Sequence, residues 1–177
     1  GDAKVDYVKG NTFIATSNNN LQSVATSNTS VGKNTLKEIS TGSNNTALGR
    51  EALLKNTSGD RNIGIGSGAL LNNTVSSDNI AMGSDALYDN SSGTNNIGIG
   101  SYALHDNTSG TANTAIGQSS LNQNTQGSSN VAIGANSFKQ NTNGSSNVAI
   151  GQNAGNTDAA NNNNTNSNNS IFIGQNT

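Results

Sequence analysis

The chain has 177 residues, of which 30% are hydrophobic, 10% charged and 3% aromatic, and its formal net charge is −2. The absence of cysteine excludes disulfide staples, and the small net charge leaves no electrostatic basis for binding nucleic acid or an anionic membrane. No apolar stretch approaches the roughly 20 residues that cross a bilayer, so we expect no membrane insertion by this segment.

The first ten residues form an N-terminal lead-in segment, and residues 11–177 follow a 17-residue repeat that is anchored on a glycine. A fixed period of this length is typical of proteins in which each unit stacks on its neighbours. We therefore predict a single repeat domain of about ten coils. Because the chain stops at Thr177 inside a repeat, we expect it to be a segment of a longer protein. The anchor glycines at this regular spacing are Gly32, Gly49, Gly66, Gly83, Gly100, Gly117, Gly134 and Gly151.

Each coil begins with a short strand of three residues that ends at the anchor glycine, as in Val131, Ala132 and Ile133. The first residue of this triplet is β-branched in every unit, and the third is large and apolar. Alternate residues of a strand share a face, so both columns are predicted to face the core. The small middle residue then points to the other face, where it favours close approach by a neighbouring chain.

A second short segment follows the anchor glycine, and we predict a second strand there. Its apolar column contains Leu36, Leu53, Leu70, Leu87, Leu104, Leu121 and Phe138. A polar turn comes next, with a repeated asparagine and then a second glycine column that is expected to adopt positive φ. This glycine column contains Gly59, Gly93, Gly110, Gly127 and Gly144. Stacked coils place equivalent asparagines about 4.8 Å apart, which predicts asparagine ladders.

Two strands and two turns per unit predict an all-β fold, a parallel β-roll or β-solenoid of 17-residue coils. Each coil offers about three large core residues, which is little apolar burial for so many ordered residues. We therefore expect the chains to assemble, as a homotrimer around a common axis. A lone solenoid held together by its ladders is the alternative.

The period fails once, because the step from Gly151 to Gly174 is longer than the regular one. The insertion lies within residues 152–173, and its most polar part has the sequence NTDAANNNNTNSNN over residues 156–169. It is either a plain surface loop or a protruding loop that contacts a receptor. The speculative receptor-binding residues are Asn161, Asn162, Asn163 and Asn164 in this loop, together with Tyr88 and Tyr102, whose rings suit stacking on a sugar.

The sequence offers no recognisable catalytic site. His105 is the only histidine, and it falls in a column whose residue type varies from coil to coil, which favours an exposed position without chemical function. Acidic residues are scattered, and one histidine cannot supply a metal site with several ligands at set spacings. We predict a non-enzyme with no catalytic, cofactor-binding or metal-binding residues and no cofactor.

The strand signature Asn-x-Ala-Ile-Gly occurs at Asn113–Gly117, Asn130–Gly134 and Asn147–Gly151. The repeat units of residues 11–177 agree in phase, and they resemble the YadA-like head repeats of trimeric autotransporter adhesins. They also resemble units of trimeric phage tail fibres and other trimeric surface fibres. The resemblance implies a left-handed parallel β-roll, three chains per fibre, and an extracellular position on a cell surface or virion. It also implies a role in attachment to a host-cell surface glycan or protein.

Two other roles are compatible with the pattern. The module could act purely as a spacer that presents a binding tip at a distance. The alternative from another class is an ice- or crystal-binding β-solenoid, motivated by a rank of hydroxyl residues at 17-residue spacing. This rank contains Thr57, Thr74, Ser91, Thr108, Thr125 and Thr142.

Overall fold

The computed structural model describes residues 27–156 and 165–177, together with the backbone of two strands nearer the N-terminus. The described residues are all-β, and their eleven strands form one sheet in chain order. The strands are β1 (Lys4–Val8), β2 (Asn11–Ala15), β3 (Thr29–Val31), β4 (Thr46–Leu48), β5 (Ile63–Ile65), β6 (Ile80–Met82), β7 (Ile97–Ile99), β8 (Thr114–Ile116), β9 (Val131–Ile133), β10 (Val148–Ile150) and β11 (Ile171–Ile173).

From β2 onward every strand pairs in parallel with the next, in a register that keeps each repeat column aligned. Seven regular steps of the repeat separate Gly32 from Gly151, which gives a β-solenoid of about seven regular coils. The predicted β-solenoid is thus confirmed. In the lead-in segment, β1 pairs antiparallel with β2, so the sheet is not parallel throughout.

The orientation of the strands is opposite to the predicted one. In β4 the middle residue, Ala47, is buried, whereas Thr46 is half-buried and Leu48 is exposed. The same pattern, with the middle residue buried and the outer two less so, recurs in the following strands up to β10. The prediction that the large residues face the core was therefore wrong, as was the prediction that the small column forms a surface for other chains.

The core is narrow and has a simple composition. Each regular coil contributes the small residue of its strand, a second small residue after the anchor glycine, and one leucine or phenylalanine, as in Ala81, Ala86 and Leu87. A 17-residue coil has room inside for one large side chain at each level. The two large side chains of each strand must consequently point outward.

The second predicted strand is a turn, so each coil has one strand instead of two. The buried leucines of this segment have left-handed backbone conformations, with φ of 51° at Leu53 and 52° at Leu104. Leucine rarely adopts this region, and complete burial of its side chain favours the conformation here. The segment still bonds from coil to coil, since Leu53 N–H donates to Ala69 O over 2.9 Å.

The C-terminal end of the array replaces this pattern by a pair of aromatic rings. Phe172 takes the place of the small strand residue and packs against Phe138, with ring centroids 5.6 Å apart. A Cβ atom at Gly155, which occupies the leucine column, would lie 2.8 Å from the Phe138 ring. The missing side chain at Gly155 therefore makes the space that the two phenylalanines fill.

Candidate functional site

The outer face of the sheet is an uncharged surface that runs along the described chain. Its two columns are the first and third residues of each strand, and neither column contains a charged residue from β3 to β11. The exposed large residues of the third column are Leu48, Met82, Ile116, Ile133, Ile150 and Ile173. We call these two columns the apolar face.

The apolar face is continuous because the coils are in register. Nine strands at about 4.8 Å spacing give it a length of about 40 Å, and two side chains give it a width of about 10 Å. Its area of about 400 Å² is that of the largest apolar patch on a typical monomer, a patch that is often functional. Single exposed aliphatic residues are ordinary on protein surfaces, whereas an uncharged strip along the whole array is not.

In the rank of hydroxyl residues, the hydroxyl groups already donate hydrogen bonds to backbone carbonyls of the next coil. Thr57 Oγ1 donates to Thr74 O of the next coil over 2.9 Å, and Thr108 Oγ1 donates to Thr125 O over 3.0 Å. Thr125 Oγ1 and Thr142 Oγ1 make the equivalent bonds. These hydroxyl groups join adjacent coils, so the rank has a structural use that does not depend on any ligand.

The structure brings the two tyrosines of the predicted receptor-binding set together around the single histidine. The Tyr88 ring stacks on the His105 ring with centroids 5.1 Å apart and planes 5° apart. The Tyr102 ring lies 5.6 Å from the same imidazole at a tilt of 44°. Tyr102 is 44% exposed, whereas Tyr88 and His105 are half-buried. The expectation that His105 is simply exposed was wrong, because it is half-buried and packs against two aromatic rings.

Two aspartates lie beside this imidazole. His105 Nδ1 is 2.5 Å from Asp106 Oδ1, and one ligand atom each from Asp89, His105 and Asp106 lie within 4.8 Å of one another. Asn72 Nδ2 donates to Asp89 Oδ1 over 2.7 Å. The sequence analysis missed this group, although Asp89 and Asp106 are one period apart and therefore occupy one column. A search for acidic residues that are 17 positions apart would have found the pair.

The other four receptor-binding predictions cannot be placed. Asn161, Asn162, Asn163 and Asn164 lie outside the described residues. The chain is described again from Thr165, whose carbonyl oxygen accepts a hydrogen bond from Thr142 N–H over 2.7 Å. Ser170 N–H donates to Asn147 Oδ1, so this coil-to-coil bond joins residues that are 23 positions apart.

An ion pair one coil apart lies on the surface of the solenoid. Arg61 donates to both carboxylate oxygens of Asp78, over 2.6 and 2.8 Å. The hydrogen bond from Arg61 lowers the pKa of Asp78, and the carboxylate raises the pKa of Arg61. Both groups are exposed to solvent, so this pair adds little to stability.

No family model, curated protein or solved structure matches this chain. In the part of the chain that the structure describes, no helix has the length and apolar character needed to cross a membrane.

Proposed function

We propose that this chain is the structural and adhesive module of a homotrimeric surface or virion fibre, which attaches to a glycan or protein on a host cell. The observation that carries the proposal is the apolar face, which runs the length of the described array on one side of the sheet. In this proposal the apolar face of each chain packs against the apolar faces of two further copies.

The chemistry of the apolar face supports an obligate partner of the same kind. Ile116, Ile133 and Ile150 are each 38% exposed and stand in line, one coil apart. A threefold axis parallel to the array would bring three such uncharged strips together and remove them from water at every level. Burial of about 400 Å² per chain adds apolar stabilisation that the narrow core of a single chain lacks.

The number three and the extracellular position come from the Asn-x-Ala-Ile-Gly repeats, which resemble those of trimeric surface fibres. In such a fibre the residues on the other sides of each coil remain available for a receptor. Tyr102 is the most exposed aromatic ring of the described chain and suits stacking on a sugar.

Sedimentation equilibrium tests the assembly. We expect a species of three times the chain mass of 17.9 kDa at micromolar concentration, in a chain that lacks any fusion partner. A folded species of one chain mass over the same concentration range would contradict the proposal.

A glycan array probes the attachment itself. We expect the trimer to bind a subset of glycans, and Tyr102→Ser to weaken that binding because it removes the exposed ring. Serine is a matched choice because Ser119 occupies this column one coil later, with a similar backbone φ of 54° against 61°. Binding to no glycan and to no host-cell surface would leave the spacer role and overturn the adhesive one.

A further inference from the structure

We propose that Asp89, His105 and Asp106 form a binding site for one divalent transition-metal ion of the Zn²⁺ type. They are the one group of three metal-ligating side chains in the described residues whose ligand atoms all lie within 4.8 Å of one another. Around a tetrahedral ion, ligand atoms about 2.0–2.1 Å from the metal lie about 3.4 Å apart. Side-chain displacements of about 1 Å therefore suffice to close the site.

The repeat itself points to a cation at this place. Asp89 and Asp106 occupy the same column in adjacent coils, so their carboxylates stand side by side in register. Like charges directly opposite one another on neighbouring stretches of backbone are unfavourable. No other two neighbours in this column are both acidic, since its remaining members in the regular coils are Glu38, Lys55, Asn72, Gln123 and Gln140. A bound cation would offset the repulsion that this pair creates.

The surroundings orient the ligands as protein metal sites require. Asn72 Nδ2 holds Asp89 Oδ1, and the Tyr88 ring lies parallel to the imidazole of His105 and restricts its rotation. Neighbours that fix the orientation of ligating side chains commonly raise metal affinity about 10- to 100-fold. His105 Nδ1 already faces Asp106 Oδ1, so both ligand atoms point to the place that an ion would occupy.

The ligand types select the class of metal. One imidazole and two carboxylates suit Zn²⁺ and neighbouring first-row ions, whereas Ca²⁺ and Mg²⁺ prefer oxygen ligands alone. The side chains of His105 and Asp106 are 26% and 42% exposed, so an ion can enter from solvent. Three protein ligands leave at least one coordination position open to water or to a group of a bound partner.

Isothermal titration of the whole, tag-free chain with Zn²⁺ tests the site, after removal of metal with a chelator. We expect one Zn²⁺ per chain. The visible absorption of added Co²⁺, which depends on coordination geometry, should also change on binding. His105→Asn, Asp89→Asn and Asp106→Gln should each weaken Zn²⁺ binding at least about 10-fold. Each substitution introduces the residue type found in that column in an adjacent coil, Asn122, Asn72 and Gln123 respectively, so the fold should tolerate it.

Asp60→Ser is the matched control, because it removes a carboxylate from a different column. Asp60 Oδ1 accepts from Ser43 N–H, and in the next coil the Ser77 hydroxyl accepts from Asp60 N–H in the same way. Zn²⁺ affinity should therefore stay within about twofold of the unaltered chain. Absence of Zn²⁺ binding at millimolar concentration, or equal binding by His105→Asn and the unaltered chain, would overturn the proposal.

Discussion

In most coils two glycines serve different purposes at the scale of the single residue. The anchor glycine has φ between 126° and 138° in the described coils, a region that disfavours any side chain. The second glycine column, including Gly110, has no such conformation, so the prediction of positive φ there was wrong. Close approach of the next coil favours glycine in this column, since a Cβ at Gly110 would lie 2.3 Å from Gly127 O. One coil accommodates a Cβ there, because Ser76 occupies the same column and its hydroxyl donates to Asn73 Oδ1.

Gly110→Ala should therefore destabilise the protein by about 1–3 kcal/mol, because Gly127 O and Asn107 Oδ1 must shift to make room for the added Cβ. The measurement is urea unfolding followed by circular dichroism at one protein concentration. Gly64→Ala is the matched control, since its Cβ would lie 3.2 Å from the nearest atom and Ala47 and Ala81 occupy the same column. We expect the control to change stability by less than about 1 kcal/mol. Equal effects of the two substitutions would contradict the close-approach explanation.

Asparagine ladders join the coils at the scale of the structural element. One ladder precedes the strands and another lies in the turn, and both are fully buried, as at Asn96 and Asn107. In the first ladder each side-chain oxygen accepts the backbone N–H of the next asparagine, while the side-chain nitrogen donates to a turn carbonyl. The predicted ladders are confirmed, and they satisfy buried backbone groups that a core of this width could not cover with apolar atoms.

Asn96→Ala should cost at least about 2 kcal/mol, because it leaves the buried backbone N–H of Asn113 without its acceptor. Asn95→Ala is the natural comparison, since Asn95 is exposed and Ala112 has the same left-handed conformation one coil later. That control should lose less than about 1 kcal/mol. Hydrogen exchange should also show faster exchange at Asn113 in the Asn96 variant only. Unchanged protection of that amide would rule out the proposed role of the ladder.

Burial of one large side chain per level decides the arrangement of the whole molecule. Leu87 and its counterparts occupy the interior, so the isoleucines and valines of the strands lie outside. A solenoid of wider coils could bury both sets, but a 17-residue coil closes around too small a cross-section. The strand side chains that remain outside form the apolar face. Whether this face is exposed to water or buried against other chains determines whether one chain or several form the stable unit.

Replacing Ile116 and Ile133 together by lysine tests whether the apolar face is the interface between chains. The two added charges would be buried in a trimer and exposed in a single chain, so we expect dissociation to the chain mass. The midpoint of urea unfolding should fall as well, because the apolar burial between chains is lost. Val75→Lys changes a residue that is 55% exposed and lies on a turn, away from the apolar face, and should leave the assembly intact. A double variant that sediments like the unaltered chain would exclude this face as the interface.

The candidate site was predictable only to a limited extent. Tyr88 and Tyr102 stand out by residue type, since aromatic residues make up 3% of the chain. Coil stacking brings Tyr88 onto His105, since the two are one period apart, whereas Tyr102 lies three residues before His105 in the same turn. The same stacking places Asp89 beside Asp106, a relation that becomes visible once positions are compared by column.

The sequence alone determined the period, the parallel stacking and the asparagine ladders, because repeated residue types at a fixed spacing have to stack in register. Tertiary structure decided which face of each strand points inward, because that depends on the width of the closed coil. It also decided the conformation of the second segment, where burial outweighs the usual preference of leucine for negative φ. The sequence shows which residues of a strand share a face. Which of the two faces is buried depends on how the coil closes.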